Sequence, residues 1–423
     1  MGNVPSTVDV AAAVLFGVAI AHTFATGIFT RLATRHPRHA GMLHLLGEVE
    51  VVFGLWALVL MLFMAAVQGR QVAVAYLEQQ RYTEPLFVFV VMVIAATRPI
   101  LGLVRQAVDA LARLVPGGGA TGVYFVALGV LPLLGSLITE VAAMTVAALL
   151  LRERLFASEL SPRLRYGTLG VLFVNISIGG VLTNFAAPPV LMVAGAWGWD
   201  NAFMLSVFGW RAAAAVLLNA VLATLFFRRE LARIAAAQTA PTGQLPVPVG
   251  VTLVHVGVLA AVVIFSHHAV VFCGLLLFFL GFAEAYERHQ DRLILREGLL
   301  VAFFLGGLVV LGGLQRWWLE PVLQGLQEST VFYGAAMLTA VTDNAALTYL
   351  GSLVDGLSPG FRQALVAGAV AGGGLTVIAN APNPAAFAIL RERFPSQTVQ
   401  PLGLLAGAVP PTLVAVLALR LFA

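Results

Sequence analysis

The sequence predicts an all-α polytopic membrane protein of about ten transmembrane helices plus two re-entrant hairpins. These form two inverted-topology repeats with broken helices. Three observations predict it. Of 423 residues, 60% are apolar and only 10% charged, against roughly 25% charged in a soluble domain. The apolar residues gather in runs of about twenty, the length a helix needs to cross the hydrocarbon, not in the alternating segments of about ten that a barrel uses. The two halves carry matching polar patterns inside apolar sequence. A disordered chain, a disulfide scaffold and an ordinary soluble enzyme are excluded.

Spans fall near 10–30, 49–68, 85–105, 168–198, 203–227, 248–265, 269–284, 298–315, 360–390 and 401–421. The first has no basic segment before it, so it reads as a span and not as a cleaved signal. Leu101 to Val115, with Arg105, Asp109 and Arg113, is amphipathic, as is Arg316 to Leu326 with Trp317 and Trp318. Both suit helices lying in the interface. The stretches 121–151 and 331–354 carry Gly, Pro, Thr and an acidic residue near their middles and read as hairpins. In 168–198, Thr183, Asn184, Pro188 and Pro189 interrupt the helix; in 360–390, Asn380, Pro382, Asn383 and Pro384 do so. Proline removes a backbone donor and frees a carbonyl.

Arginine sets the orientation, since cytoplasmic loops carry the basic residues. With the hairpins not crossing, alternate loops hold 17 Arg and the opposite side 5. That puts both termini on the outer face of a bacterial inner (plasma) membrane. The domains are then a first repeat, 1–230, a cytoplasmic linker, 231–247, and a second repeat, 248–423.

The repeat rests on two ordered matches. Thr139-Glu140-Val141-Ala142-Ala143-Met144-Thr145 matches Thr342-Asp343-Asn344-Ala345-Ala346-Leu347-Thr348 at an offset of 203. Gly179-Gly180-Val181-Leu182-Thr183 through Pro189 matches Gly372-Gly373-Gly374-Leu375-Thr376 through Pro382 at an offset of 193. Five crossings per half invert the second half. Inverted repeats with broken helices are the pattern of secondary transporters, which bind cargo near the midplane.

The chemistry concentrates at the same points. Of 20 acidic residues, only Glu140 and Asp343 lie deep in apolar sequence, at matching positions. A buried lone carboxylate is expensive unless neutralised or paired, so the two read either as an ion site or as protonated links between helices. Thr and Asn oxygens are hard ligands that suit Na⁺. All 24 basic residues are Arg, which removes Schiff-base and P-loop lysine chemistry. Cys273 is the single cysteine and sits in an apolar run. Net charge is +4 and dispersed, with no nucleic-acid footprint. Hydrolase and Walker patterns are absent, so an enzyme and a cofactor are not expected. His22 and His255 lie inside spans, as proton relays or packed histidines. Arg211, deep in a span, pairs with a carboxylate or holds an anion. Arg98, near a span end, snorkels.

The stretch from Gly373 to Asn383 resembles the broken-helix motif of the ion transporter superfamily. That group holds the NhaD-type antiporters, the arsenite permeases and the divalent anion/sodium symporters. Val341-Thr342-Asp343-Asn344-Ala345 likewise resembles their second hairpin. Overall the chain is similar to a Na⁺/H⁺ antiporter family within that superfamily. The resemblance implies a homodimer in which each protomer has a scaffold and an elevator-like transport domain. It implies ion ligands at Thr139, Glu140, Thr183, Asn184, Thr342, Asp343, Asn344, Thr376 and Asn380, with Na⁺ on Glu140 and Asp343. Arg211 and Asn383 would support the site or bind an anion. One departure is visible. The Ser-Asn-Thr hairpin tips of the dicarboxylate symporters are replaced by Thr139-Glu140-Val141 and Thr342-Asp343-Asn344. The added negative charge favours a cation. The expected activity is Na⁺/H⁺ antiport, with membrane lipid and small inorganic ions as partners. The alternative is sodium-coupled symport of a small anion.

Overall fold

The structure, a computed structural model, describes residues 5–116, 118–156, 160–234, 246–394 and 399–421. Among them all regular structure is helical. The first part holds α1 (Thr7–Arg35), α2 (Ala40–Leu46), α3 (Val49–Gln68), α4 (Arg70–Gln79), α5 (Thr83–Ala95) and α6 (Arg98–Leu114). Next come α7 (Gly119–Ile138), α8 (Glu140–Arg154), α9 (Pro162–Gly179), α10 (Pro188–Trp197), α11 (Asn201–Met204) and α12 (Trp210–Leu231). The second half holds α13 (Val249–Ile264), α14 (Ala269–Ala285), α15 (Leu295–Gly312), α16 (Arg316–Gln324), α17 (Glu328–Thr339), α18 (Asn344–Ser352), α19 (Pro359–Gly372), α20 (Asn383–Leu390) and α21 (Pro401–Leu421). The 231–247 linker is described only at its ends, since 235–245 lie outside the described residues.

Seven helical stretches are long and apolar enough to cross a membrane, eight with one bent pair. Five coincide with expected spans, a sixth, Pro162–Leu182, overlaps the first half of the expected 168–198, and the seventh is α7, the first arm of the 121–151 stretch. The helices α13 and α14, of 16 and 17 residues, measure about 24–26 Å at 1.5 Å per residue, a few Å short of a 30 Å hydrocarbon core. The expected span 85–105 needs correction. It breaks after Ala95, and α6 leaves at 68°. Thr97 is extended (φ −76°, ψ 150°), and Pro99 stands near the start of α6. Its ring nitrogen cannot donate to Ala95, so the helix cannot continue through it. The amphipathic segment expected from residue 101 is part of α6.

The helices pack in two groups. One has α15 against both α3 and α5, with α1 on α3 and α13 and α14 on α5. In the other, α9 packs on α21, α17 on α19, and α7 on α8, α9 and α12. Within this second group two contacts cross over: α10 packs on α18, and α20 packs on α8. These crossed contacts set α10 and α20, the helices that follow the interruptions at 183–187 and 373–382, against the second arm of the other helix pair. Around them the interior is apolar, with Phe173, Val174 and Ile178 on α9 and Val366 and Val370 on α19 fully enclosed.

Candidate ion site

The first tip is a single residue. Thr139 separates α7 from α8 at φ +78°, ψ 150°, and is the sole described non-glycine residue with positive φ. A β-branched residue is strained there, by about 1–3 kcal/mol. Its hydroxyl caps α8 by accepting from the Ala142 N–H at 3.4 Å. Because Thr139 does the capping, Glu140 opens the helix with its carboxylate uncommitted. Glu140 is fully buried. Its Oε2 accepts from Asn380 Nδ2 at 2.8 Å, and its Oε1 has no partner. Gly180 makes the room: a Cβ there would lie 2.3 Å from Oε1.

The second tip is built differently. Asp343 is itself the cap of α18, accepting from the N–H groups of Ala345 at 2.8 Å and Ala346 at 3.2 Å. The Ala381 N–H also points at this half-buried carboxylate. Its charge therefore meets a helix N-terminus, yet it stands close enough to be felt at Glu140. The next residue, Asn344, is buried, and neither its Oδ1 nor its Nδ2 has a partner. Its N–H donates to the Ala379 carbonyl at 3.1 Å, which ties the tip to the residue before Asn380. Gly373 lies behind it; a Cβ there would meet Ser177 Oγ at 2.1 Å and Asn344 Nδ2 at 2.9 Å.

The threonines fasten the interruptions. Thr183 donates to the Ser136 carbonyl at 2.7 Å, and Thr376 donates to the Ala340 carbonyl at 2.9 Å. Ser136 in turn donates to the Gly179 carbonyl at 2.8 Å and accepts from the Leu182 N–H at 3.0 Å. Asn383, fully buried, donates to the carbonyls of Gly373 at 2.8 Å and Thr376 at 2.9 Å, leaving its Oδ1 unpartnered. Thr342 is half-buried in the second tip.

Glu140, Asp343, Asn344, Thr376, Asn380 and Asn383 are thus linked contact by contact. Thr139 and Thr183 stand beside them on the first tip. Asn184 turns away: its Nδ2 donates to the Trp199 carbonyl at 2.9 Å, and its N–H to Asn201 Oδ1 at 3.0 Å. Arg211 lies over the Trp210 ring at 5.5 Å. No carboxylate stands within ion-pair distance of it among the described residues. Of the two expected roles of Arg211, the carboxylate pairing is not met; an aromatic contact stands in its place. His22 accepts from Trp56 Nε1 at 3.1 Å and reaches the Leu46 carbonyl at 3.0 Å. His255 meets the Val251 carbonyl at 2.8 Å. Both are packed, hydrogen-bonded rings. Sequence reasoning missed Ser136, Ser177 and the role of Gly180. In Ala/Gly-rich runs such small residues carry no contrast.

Four buried acceptor oxygens lack a partner here: Glu140 Oε1, Asn344 Oδ1, Asn380 Oδ1 and Asn383 Oδ1. More than about 90% of such groups are satisfied in folded proteins. All four are hard oxygens, one of them formally anionic, of the ligand type that suits an alkali cation better than a soft metal. Among the described residues no three His, Cys, Asp or Glu side chains gather to hold a metal, here or elsewhere. The arrangement can hold a small cation or, on Glu140, a proton.

The model of a family described as "Putative Na+/H+ antiporter" matches residues 7–422. Among solved structures the chain is similar to the YdaH transporter of Alcanivorax borkumensis. Identity is 14%, over 88% of this chain and 96% of that one, with a TM-score of 0.46. No curated protein matches the chain.

Proposed function

The chain belongs to this Na⁺/H⁺ antiporter family, and on that premise we propose that it exchanges Na⁺ for H⁺ at the Glu140 cluster. It is a membrane transporter and not an enzyme. The observation that carries the reading is Glu140 itself, a fully buried carboxylate that accepts one hydrogen bond, from Asn380, and whose Oε1 has no partner. A carboxylate sealed in the bilayer costs several kcal/mol without a counter-charge. Glu140 therefore carries a proton or a cation and never stands empty for long. Competition for one group yields exchange without a separate coupling device. Asn380, Asn344 and Asn383 supply neutral oxygens to the cation, and the capped Asp343 adds negative potential beside it. Thr139, Thr183, Thr342 and Thr376 hold the tips and interruptions in register, and Asn184 does the same at its own loop.

The same proposal arranges the chain as inverted repeats 1–230 and 248–423, joined by 231–247 on the cytoplasmic face. Each has a re-entrant hairpin, 121–151 or 331–354, and a broken span, 168–198 or 360–390. About ten crossings result, with both termini on the outer face of a bacterial inner membrane. The crossed contacts of α10 with α18 and of α20 with α8 support this reading. Further support comes from the contact between Ser177 Oγ and the Val370 carbonyl at 2.8 Å. These two residues are related by the offset of 193, as residues on a two-fold axis would be. A homodimer with elevator-like movement of the second helix group is carried by the family resemblance.

Flux in proteoliposomes under an imposed pH gradient tests the function. Sodium should drive proton movement in the wild type, and Glu140→Gln should bring it to the level of protein-free vesicles. Wild-type exchange in that variant would reject the assignment. Sodium-stimulated uptake of a labelled anion, lost in Arg211→Ala, would instead establish symport.

A further inference from the structure

Two cavities lie side by side at the arginine-rich edge of the second helix group. The first, about 600 Å³, is lined by Ser161, Arg229, Glu230 and Arg233. The second, about 610 Å³, runs between α9, α12 and α21 and is lined by Leu222, Ala223, Ala406 and Val414, with Arg163 at its end. Phe226 and Phe227 line both, so polar and apolar halves share one wall.

The charge of the polar half is unbalanced. Both Glu230 oxygens are committed to Ser161, accepting from its N–H at 2.7 Å and its hydroxyl at 2.8 Å. Arg163, Arg229 and Arg233 are exposed and form no ion pair among the described residues. Residues 235–245, which follow, contain no charged side chain; Glu159 is the one acid of the stretch 157–159. Cations therefore exceed acids at this edge. A water-soluble anion would use the arginines and ignore the groove. A bare hydrocarbon chain would use the groove and ignore the arginines. An amphiphile with an anionic head uses both, and the membrane supplies it.

We infer that this composite cavity binds one anionic phospholipid, its phosphate on Arg163, Arg229 and Arg233 and an acyl chain along the α9–α12–α21 groove. The bound lipid rests on α9, the helix that begins at Pro162 beside the cavity and ends at Gly179, next to the glycine that backs Glu140. It thereby braces the helix behind the ion site.

Native mass spectrometry of the purified full chain in detergent tests this, with added dioleoyl phosphatidylglycerol or dioleoyl phosphatidylcholine. The expected result is one phosphatidylglycerol per chain, held at least about tenfold more tightly than phosphatidylcholine. Arg229→Gln with Arg233→Gln should weaken it about 25-fold, near fivefold per arginine. Ala406→Phe, at an exposed groove position, should remove it as well while the lipid-free melting temperature stays unchanged. Equal retention of the two lipids overturns the inference. So does a loss confined to the arginine variant, with glycerol phosphate competing, which would mark an anion site without an acyl chain. An Ala406→Phe protein that retains lipid but changes oligomeric state would make the groove a subunit contact and overturn it too.

Discussion

The two helix-pair tips occupy matching places in the sequence and do different work. At the second, Asp343 spends one carboxylate oxygen on the N–H groups of Ala345 and Ala346, the ordinary task of a helix cap. At the first, Thr139 takes over that task in a strained conformation, and Glu140 is left free to reach Asn380 across 240 residues of chain. The partner is unequal as well. By the offset of 193, the mate of Asn380 is Ala187, which has no side-chain amide to offer Asp343. Two matching sequence positions can thus both be acidic while only one keeps its charge available. Backbone strain at Thr139 is the visible cost of that availability.

This contrast is sharpest under substitution. Glu140→Gln keeps the shape and the Asn380 hydrogen bond but removes the exchangeable charge. Exchange in proteoliposomes should fall by at least about a hundredfold. Asn380→Ala leaves the carboxylate in place without its charge-assisted hydrogen bond. The sodium concentration for half-maximal flux should rise about ten- to hundredfold. Asp343→Asn should be milder, about a tenfold loss of exchange, and thermal stability should hold because Asn caps a helix as well as Asp. Asp343→Ala, which removes the cap, should in addition lose about 1–2 kcal/mol in denaturation. If Asp343→Asn proved as damaging as Glu140→Gln, the tips would be equivalent and the contrast would fail. The smallest effect is on stability alone. Thr139→Gly relieves roughly 1–3 kcal/mol of strain, gives back about 0.5–1 kcal/mol to glycine's entropy and loses the hydroxyl cap of α8, about 0.3 kcal/mol. A net gain of up to about 1 kcal/mol should appear as a higher melting temperature; a loss of about 1 kcal/mol or more would mean that the positive φ carries no strain.

Much of the fold was legible because lipid punishes exceptions. Acids, Pro and Asn stand out in apolar runs, so Glu140, Asp343, Asn380 and Asn383 announced themselves. The break at 96–97 was written in Thr97-Arg98-Pro99, but a long apolar run hid it. What could not be read was which polar groups meet. The Asn380–Glu140 hydrogen bond depends on α20 packing on α8, and the turning of Asn184 toward Trp199 depends on a loop conformation. The capping exchange between Thr139 and Asp343 is a matter of one residue of helix phase. Sequence similarity between the tips makes them look alike for that reason.

One titration decides whether Glu140 alone carries the exchange. Sodium is added to the purified, weakly buffered full chain, and released protons are counted with a pH indicator. Up to one proton should be released per chain in the wild type and in Asp343→Asn, and none in Glu140→Gln. The apparent sodium affinity should weaken about tenfold per pH unit on the acid side. Two protons per chain, or undiminished release from Glu140→Gln, would contradict a site in which Glu140 alone exchanges.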